Sequence, residues 1–183
     1  MTQAMRVITA KAVFDGVNLL SNKAVLIADG VIIDLIDKDK VYDATQIEDF
    51  GNSVISAGLI DLQLNGNGGV LFNDSISFAS LETMHQTNLR FGTTSYLPTL
   101  ITSDLNDVRT ALEVTKEWFK QYGNTRGVIG LHLEGPFLSK EKRGIHPLEF
   151  VTLPTDEMII EIASYTKYFP IKLTLAPENF LFG

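Results

Sequence analysis

Beyond residue 56 the chain repeats one rhythm: a short apolar run, a polar or glycine-rich loop, then an amphipathic segment. This alternation narrows the possible folds more than any other feature. Apolar runs at residues 59–64, 93–97, 127–133 and 171–176 have the length and composition of strands. The first, LIDLQL, reads as a strand buried on both sides. Between the runs, residues 80–91, 104–122 and 155–168 carry helical periodicity. Ser80 is the candidate cap of the first, Ser103 or Asp104 of the second, and Gly92 and Gly123 lie where those helices should stop. Strands alternating with helices predict a parallel sheet in an α/β fold. Either a small doubly wound sheet or part of a closed (β/α)8 barrel would satisfy the pattern.

Residues 1–56 have a different texture. Short β-like runs at 6–13, 24–27 and 31–36 are separated by turn signals. Ala28-Asp29-Gly30 between the last two is a hairpin signal, because a primed turn needs positive φ at its centre. The expected organisation is a small all-β module over residues 1–56, then an α/β domain over residues 57–183.

Composition removes several function classes. With Lys and Arg numbering 15 against 22 Asp and Glu, the formal charge is −7, and the cations are scattered. That balance argues against nucleic acid or an anionic membrane as partner. The chain has no cysteine, so a metal here would need His, Asp, Glu or water. The most apolar stretch, residues 24–36, is interrupted by Asp29 and Asp34 and is too short to cross a bilayer. A cytoplasmic protein is the expectation.

Chemistry in parallel α/β proteins collects at the C-terminal ends of strands. Here the first strand ends in Gln63, Asn65 and the loop NGNGG, and the second in Tyr96, Pro98 and Thr99. The third ends in His132, Glu134 and Gly135-Pro136, and the fourth in Pro177-Glu178. Glu134 is the sharpest candidate. A carboxylate at the end of a buried strand needs a cation or several donors, so it could hold a divalent metal, cap the next helix or pair with Arg143. His132 shares its strand face and reads as a packed histidine or a second ligand. The loop containing Lys140, Lys142, Arg143, Gly144 and His146 could grip an anion or lie solvated at the surface. NGNGG lacks the lysine and hydroxyl of a phosphate loop, so its glycines read as a tight turn. His85, inside the first helix, reads as structural or exposed, and Asp61 has no assigned role.

Four motifs, GLIDLQLNGNGG at 58–69, GTTSYLPTLITS at 92–103, GLHLEGPFLSKEKRGIHP at 130–147 and KLTLAPE at 172–178, together resemble the N-acetylglucosamine-6-phosphate deacetylase family of the amidohydrolase superfamily. The resemblance covers nearly the whole chain and matches the N-terminal half of such an enzyme. It implies the first four units of a (β/α)8 barrel preceded by part of a small β-sandwich. It also implies hydrolysis of the acetamide of N-acetylglucosamine 6-phosphate, with one divalent metal, zinc, as cofactor. Glu134 takes the position of the metal-binding glutamate, Ile145 and His146 those of the substrate contacts. Gln63 and Asn65 stand where much of the superfamily has a metal-binding His-x-His, and become polar lining. Two further metal histidines and the general-base aspartate are expected beyond residue 183, so the 183-residue chain alone is expected to be inactive. A homo-oligomer is the expectation at full length. The competing readings are a small phosphosugar-binding α/β domain without catalysis and an amidohydrolase with another substrate.

Overall fold

The computed structural model describes residues 5–41 and 46–179, which fall into two compact units divided between Ala57 and Gly58. In chain order the first unit contains β1 (Met5–Thr9), β2 (Ala12–Phe14), β3 (Leu19–Leu20), β4 (Lys23–Ala28), β5 (Val31–Asp37), β6 (Gln46–Asp49) and β7 (Val54–Ser56). The second contains β8 (Leu59–Leu64), β9 (Gly66–Asn67), β10 (Val70–Leu71), α1 (Phe78–Arg90), β11 (Thr93–Ile101), α2 (Leu105–Tyr122), β12 (Gly127–Val128), β13 (Leu131–Glu134), α3 (Asp156–Ser164) and β14 (Ile171–Thr174).

The first unit pairs its strands as β5-β4-β1-β6 in one sheet and β3-β2-β7 in another. The run at 6–13 is therefore two strands that join different sheets. Between β4 and β5 the hairpin turns on Asp29 and Gly30, at φ 50° and 78°. Positive φ at both central residues is the type I′ signature that Asp-Gly predicts, and only glycine adopts it without strain.

In the second unit β8, β11, β13 and β14 pair in parallel, neighbour to neighbour, and β12 shares the lane of β13 along β11. Neighbours in the chain are thus neighbours in the sheet, with no reversal of strand order. Alternate strand residues sort onto two faces. Tyr96, Leu100, Val128, Leu131 and Leu133 pack with Leu81, Met84, Val108, Leu112, Trp118 and Ile162 of the three helices in one core. All three helices therefore cover the same face of the sheet.

Helix caps follow the local chemistry. Asp104 caps α2 by accepting from the N–H groups of Asn106 and Asp107, and Gly123 follows its last residue. α1 starts two residues earlier than the sequence suggests and is capped by Ser77, whose Oγ accepts from the Ser80 N–H at 3.1 Å. Thr155 caps α3, which ends at Ser164. Beyond it a 3-10 turn occupies Tyr165–Lys167. One expectation is corrected: β8 is not buried on both sides. It forms an edge of the sheet, and Leu59, Ile60 and Leu62 remain 63%, 64% and 52% exposed.

His85 of α1 is buried beside Trp118, their ring centroids 6.1 Å apart. Burial, with Arg126 adding to it and Glu82 opposing, holds its imidazole below the ordinary range near 6.5. A depressed histidine pKa means the unfolded chain binds the proton better. Its contribution is complete above about pH 6.5 and is lost as pH falls towards the folded value. The urea midpoint should therefore drop between pH 7.5 and 5.5, and His85→Gln should reduce that drop. An equal drop in the variant would refute the assignment.

Candidate functional site

The other face of the second unit's sheet carries polar side chains toward the C-terminal strand ends. His132 is fully buried there. Its Nδ1 lies 3.1 Å from the Thr99 hydroxyl of β11 and its Nε2 2.8 Å from the Thr174 hydroxyl of β14. The ring thus ties three neighbouring strands together. Burial first, and Lys172 second, push its pKa down against the pull of Glu134. It belongs to the packed reading of that residue rather than to an open ligand.

Glu134, two residues on, ends β13 on the same face. Its Oε1 accepts a hydrogen bond from Gln63 Nε2 of β8 at 2.9 Å and lies 3.9 Å from His146 Nε2. The Glu134 side chain is 20% exposed and that of His146 11%, so both border a solvent-accessible mouth. Neither a helix cap nor Arg143 occupies the carboxylate. Arg143 instead donates from Nη1 to the backbone carbonyl of Lys140 at 3.1 Å, shaping its own loop. His146 is anchored through Nδ1, 2.9 Å from the Thr102 hydroxyl at the end of β11. Thr102 Oγ1 also donates to the Glu134 backbone carbonyl at 3.0 Å.

Three sequence candidates, Glu134, His146 and Gln63, therefore meet. The other two stand apart. Ile145 is 88% exposed on the loop, and Asn65 is half-buried with no side-chain hydrogen bond to Gln63 or Glu134. Asn65 contributes its carbonyl, which accepts from the Phe72 N–H at 2.8 Å. Gly68 and Gly69 of NGNGG form the turn between β9 and β10, Gly66 pairs within β9, and Asn67 Nδ2 donates to Asn88 of α1 at 2.6 Å. That arrangement is a docked turn rather than a phosphate cradle. Asp61 accepts from the Gln63 backbone N–H at 2.9 Å, a local structural role. Tyr96 does not line the mouth, because its hydroxyl donates to the Leu81 carbonyl on the helix side at 3.0 Å.

Sequence reasoning missed Thr102, Thr174 and Lys172. The alternation in KLTLAPE places Lys172 and Thr174 on the face opposite Leu173, which is a legible signal. Lys172 Nζ reaches across that face from β14 to the Leu62 carbonyl of β8, at 3.3 Å. For Thr102 no comparable signal exists.

As a metal centre the group is partial. Oε1 of Glu134 is held by Gln63, and its carboxylate and the His146 imidazole are both ligand types for a divalent ion. Among the described residues no three His, Cys, Asp or Glu side chains converge to hold a metal. Glu134 thus fits one ligand position, and the described residues do not complete a set.

No protein-family model matches the chain. It is 38% identical over 162 residues to the N-acetylglucosamine-6-phosphate deacetylase of Haemophilus influenzae, a match covering 88% of this chain and 42% of that protein. It is 37% identical over 141 residues to the N-acetylgalactosamine-6-phosphate deacetylase of a Shewanella species, covering 75% of this chain and 35% of that one. The crystal structure of N-acetylglucosamine-6-phosphate deacetylase from Pasteurella multocida superposes with a TM-score of 0.89 at 39% identity, over 96% of this chain and 45% of that chain. The chain thus spans under half the length of the relatives it matches. Over that span it is similar, by sequence and by fold, to proteins named N-acetylglucosamine-6-phosphate deacetylase.

Proposed function

We propose that this chain supplies part of the active site of an N-acetylglucosamine-6-phosphate deacetylase, which hydrolyses the acetamide to glucosamine 6-phosphate and acetate. The observation carrying this reading is the convergence of Glu134 and Gln63, near strand ends, with His146 of a loop, in a fold shared with such enzymes. In the same reading the second unit forms the first four units of a (β/α)8 barrel. Three features support that: strand order without reversal, helices on one face, and a lysine side chain spanning from the last strand to the first. A lysine could not bridge strands three lanes apart, at ~4.8 Å per lane, unless the sheet curved strongly. The first unit, with its two small sheets, becomes part of a β-sandwich. In this reading the two domains of this portion are residues 1–56 and 57–183, one residue from the division between Ala57 and Gly58.

In this reading Glu134 holds one divalent metal ion, zinc, and Gln63 orients the carboxylate by occupying Oε1. When bound, such an ion polarises the amide carbonyl and makes its water a nucleophile near neutral pH. Ile145 and His146 contact the substrate, and Gln63 and Asn65 line the pocket. His146 is placed to donate or accept a hydrogen bond beside Glu134. The exposure of Ile145 leaves its backbone and side chain open to a ligand. The protein is read as a cytoplasmic homo-oligomer with a small-molecule substrate. No helix among the described residues is long and apolar enough to cross a membrane, and the chain's charge of −7 disfavours nucleic acid.

The test is a chimera in which residues 1–183 replace the aligned segment of the Haemophilus influenzae relative. Turnover of N-acetylglucosamine 6-phosphate is expected to exceed that of the galacto epimer and of unphosphorylated N-acetylglucosamine. Preference for the epimer would move the assignment to the activity named for the Shewanella relative. A folded chimera that binds the sugar phosphate without releasing acetate would favour the binding-domain reading instead.

A further inference from the structure

Thr102, the residue that follows β11, is 3% exposed and bonded to both Glu134 and the loop that carries His146. Two of its groups address the same atom. Its backbone N–H points at His146 Nδ1 from 3.4 Å, and its hydroxyl lies 2.9 Å from that nitrogen. The hydroxyl can turn, and so serves either Nδ1 or the Glu134 carbonyl at 3.0 Å. The backbone N–H cannot turn, because its hydrogen lies in the peptide plane. A hydrogen on Nδ1 would confront it, whereas a lone pair accepts it.

The far side of the ring agrees. His146 Nε2 faces Glu134 Oε1 at 3.9 Å, where an N–H is attracted to the carboxylate and a lone pair is repelled. We propose that Thr102 is a positioning residue that holds neutral His146 as the Nε2–H tautomer, so that the imidazole presents a hydrogen-bond donor beside Glu134. The fixed N–H selects the tautomer, and the hydroxyl anchors the ring within reach of it. Gly135 makes the arrangement possible, since a Cβ there would lie 2.1 Å from Thr102 Oγ1.

The group suited to this donor is an uncharged oxygen acceptor, such as an amide carbonyl. That assignment of the ligand rests on the deacetylase reading above, but the tautomer does not. A donor N–H strengthens its bond as charge grows on the oxygen it faces, which is the requirement for stabilising a tetrahedral intermediate.

The experiment is ring-nitrogen NMR on the metal-free 183-residue chain labelled with ¹⁵N-histidine, at about pH 8.5, where imidazoles are neutral. His146 is expected to show a protonated Nε2 and an unprotonated, hydrogen-bonded Nδ1. In Thr102→Val the Nδ1 signal should lose its hydrogen-bond shift and move to the position of a free imidazole. Thr102→Ser should restore it. A proton on Nδ1 in the unsubstituted chain overturns the proposal, as does an Nδ1 signal that valine leaves unchanged. Should the valine variant fail to fold, the unsubstituted spectrum and the serine variant still decide. The readout uses no substrate, so failure of the deacetylase assay and failure of this proposal are separate results.

Discussion

Glu134→Gln, introduced into the chimera with the Haemophilus influenzae relative, is expected to lower turnover of N-acetylglucosamine 6-phosphate by at least about 100-fold. Loss of an outer partner of a metal ligand typically costs ~10–100-fold, and loss of the ligand itself should cost no less. The substitution is nearly isosteric and keeps an oxygen that can accept from Gln63 Nε2, now 2.9 Å from Oε1. Its effect on folding should therefore stay within roughly 1 kcal/mol, the scale of one hydrogen bond. Thermal melting and bound-metal content, measured beside turnover, separate the outcomes. Lost turnover and lost metal with an unchanged melt support the ligand role. Retained turnover would remove Glu134 from the chemistry.

The next residue should behave in the opposite way. Gly135→Ala is expected to destabilise the second unit by about 3 kcal/mol, from left-handed backbone strain of ~1–2 kcal/mol plus hydrogen bonds worth ~1 kcal/mol each that a displaced Thr102 gives up. Gly135 sits at φ 102°, and the added Cβ would meet Thr102 Oγ1 at 2.1 Å. Thr102 would have to move, and with it the contacts to Glu134 and His146. Gly144→Ala is the control. It too has positive φ, 65°, but nothing lies within 4 Å of its added Cβ. Urea denaturation of the two variants isolates the collision from the strain. Equal midpoints would show that Thr102 yields without cost.

Much of this architecture can be read in the sequence. The period of α2, its Asp104 cap and the glycine after it are local signals, and so is the Asp-Gly turn. Glu134 stood out because a carboxylate at the end of an apolar strand has few structural uses. What was illegible depends on neighbours distant in the chain. LIDLQL is apolar enough for a central strand, yet whether a strand lies inside or at an edge is decided by what pairs with it. The start of α1 shifted because Ser75, Ser77 and Ser80 hydrogen-bond together, and any of them satisfies the local capping rule. Thr102 was invisible for a plainer reason. A threonine just past a strand rich in β-formers looks like one more of them, so nothing marks the one whose hydroxyl holds a histidine.

The alternating faces of β13 have a consequence for how this protein can change over generations. Leu131 and Leu133 answer to the helices, His132 ties β13 to its neighbours on the opposite face, and Glu134 alone answers to the mouth of the sheet. Selection for persistence in the cell and selection for chemistry therefore act on adjoining positions of one four-residue strand. A lineage could exchange one set while keeping the other, and so acquire a new reactivity on an old scaffold.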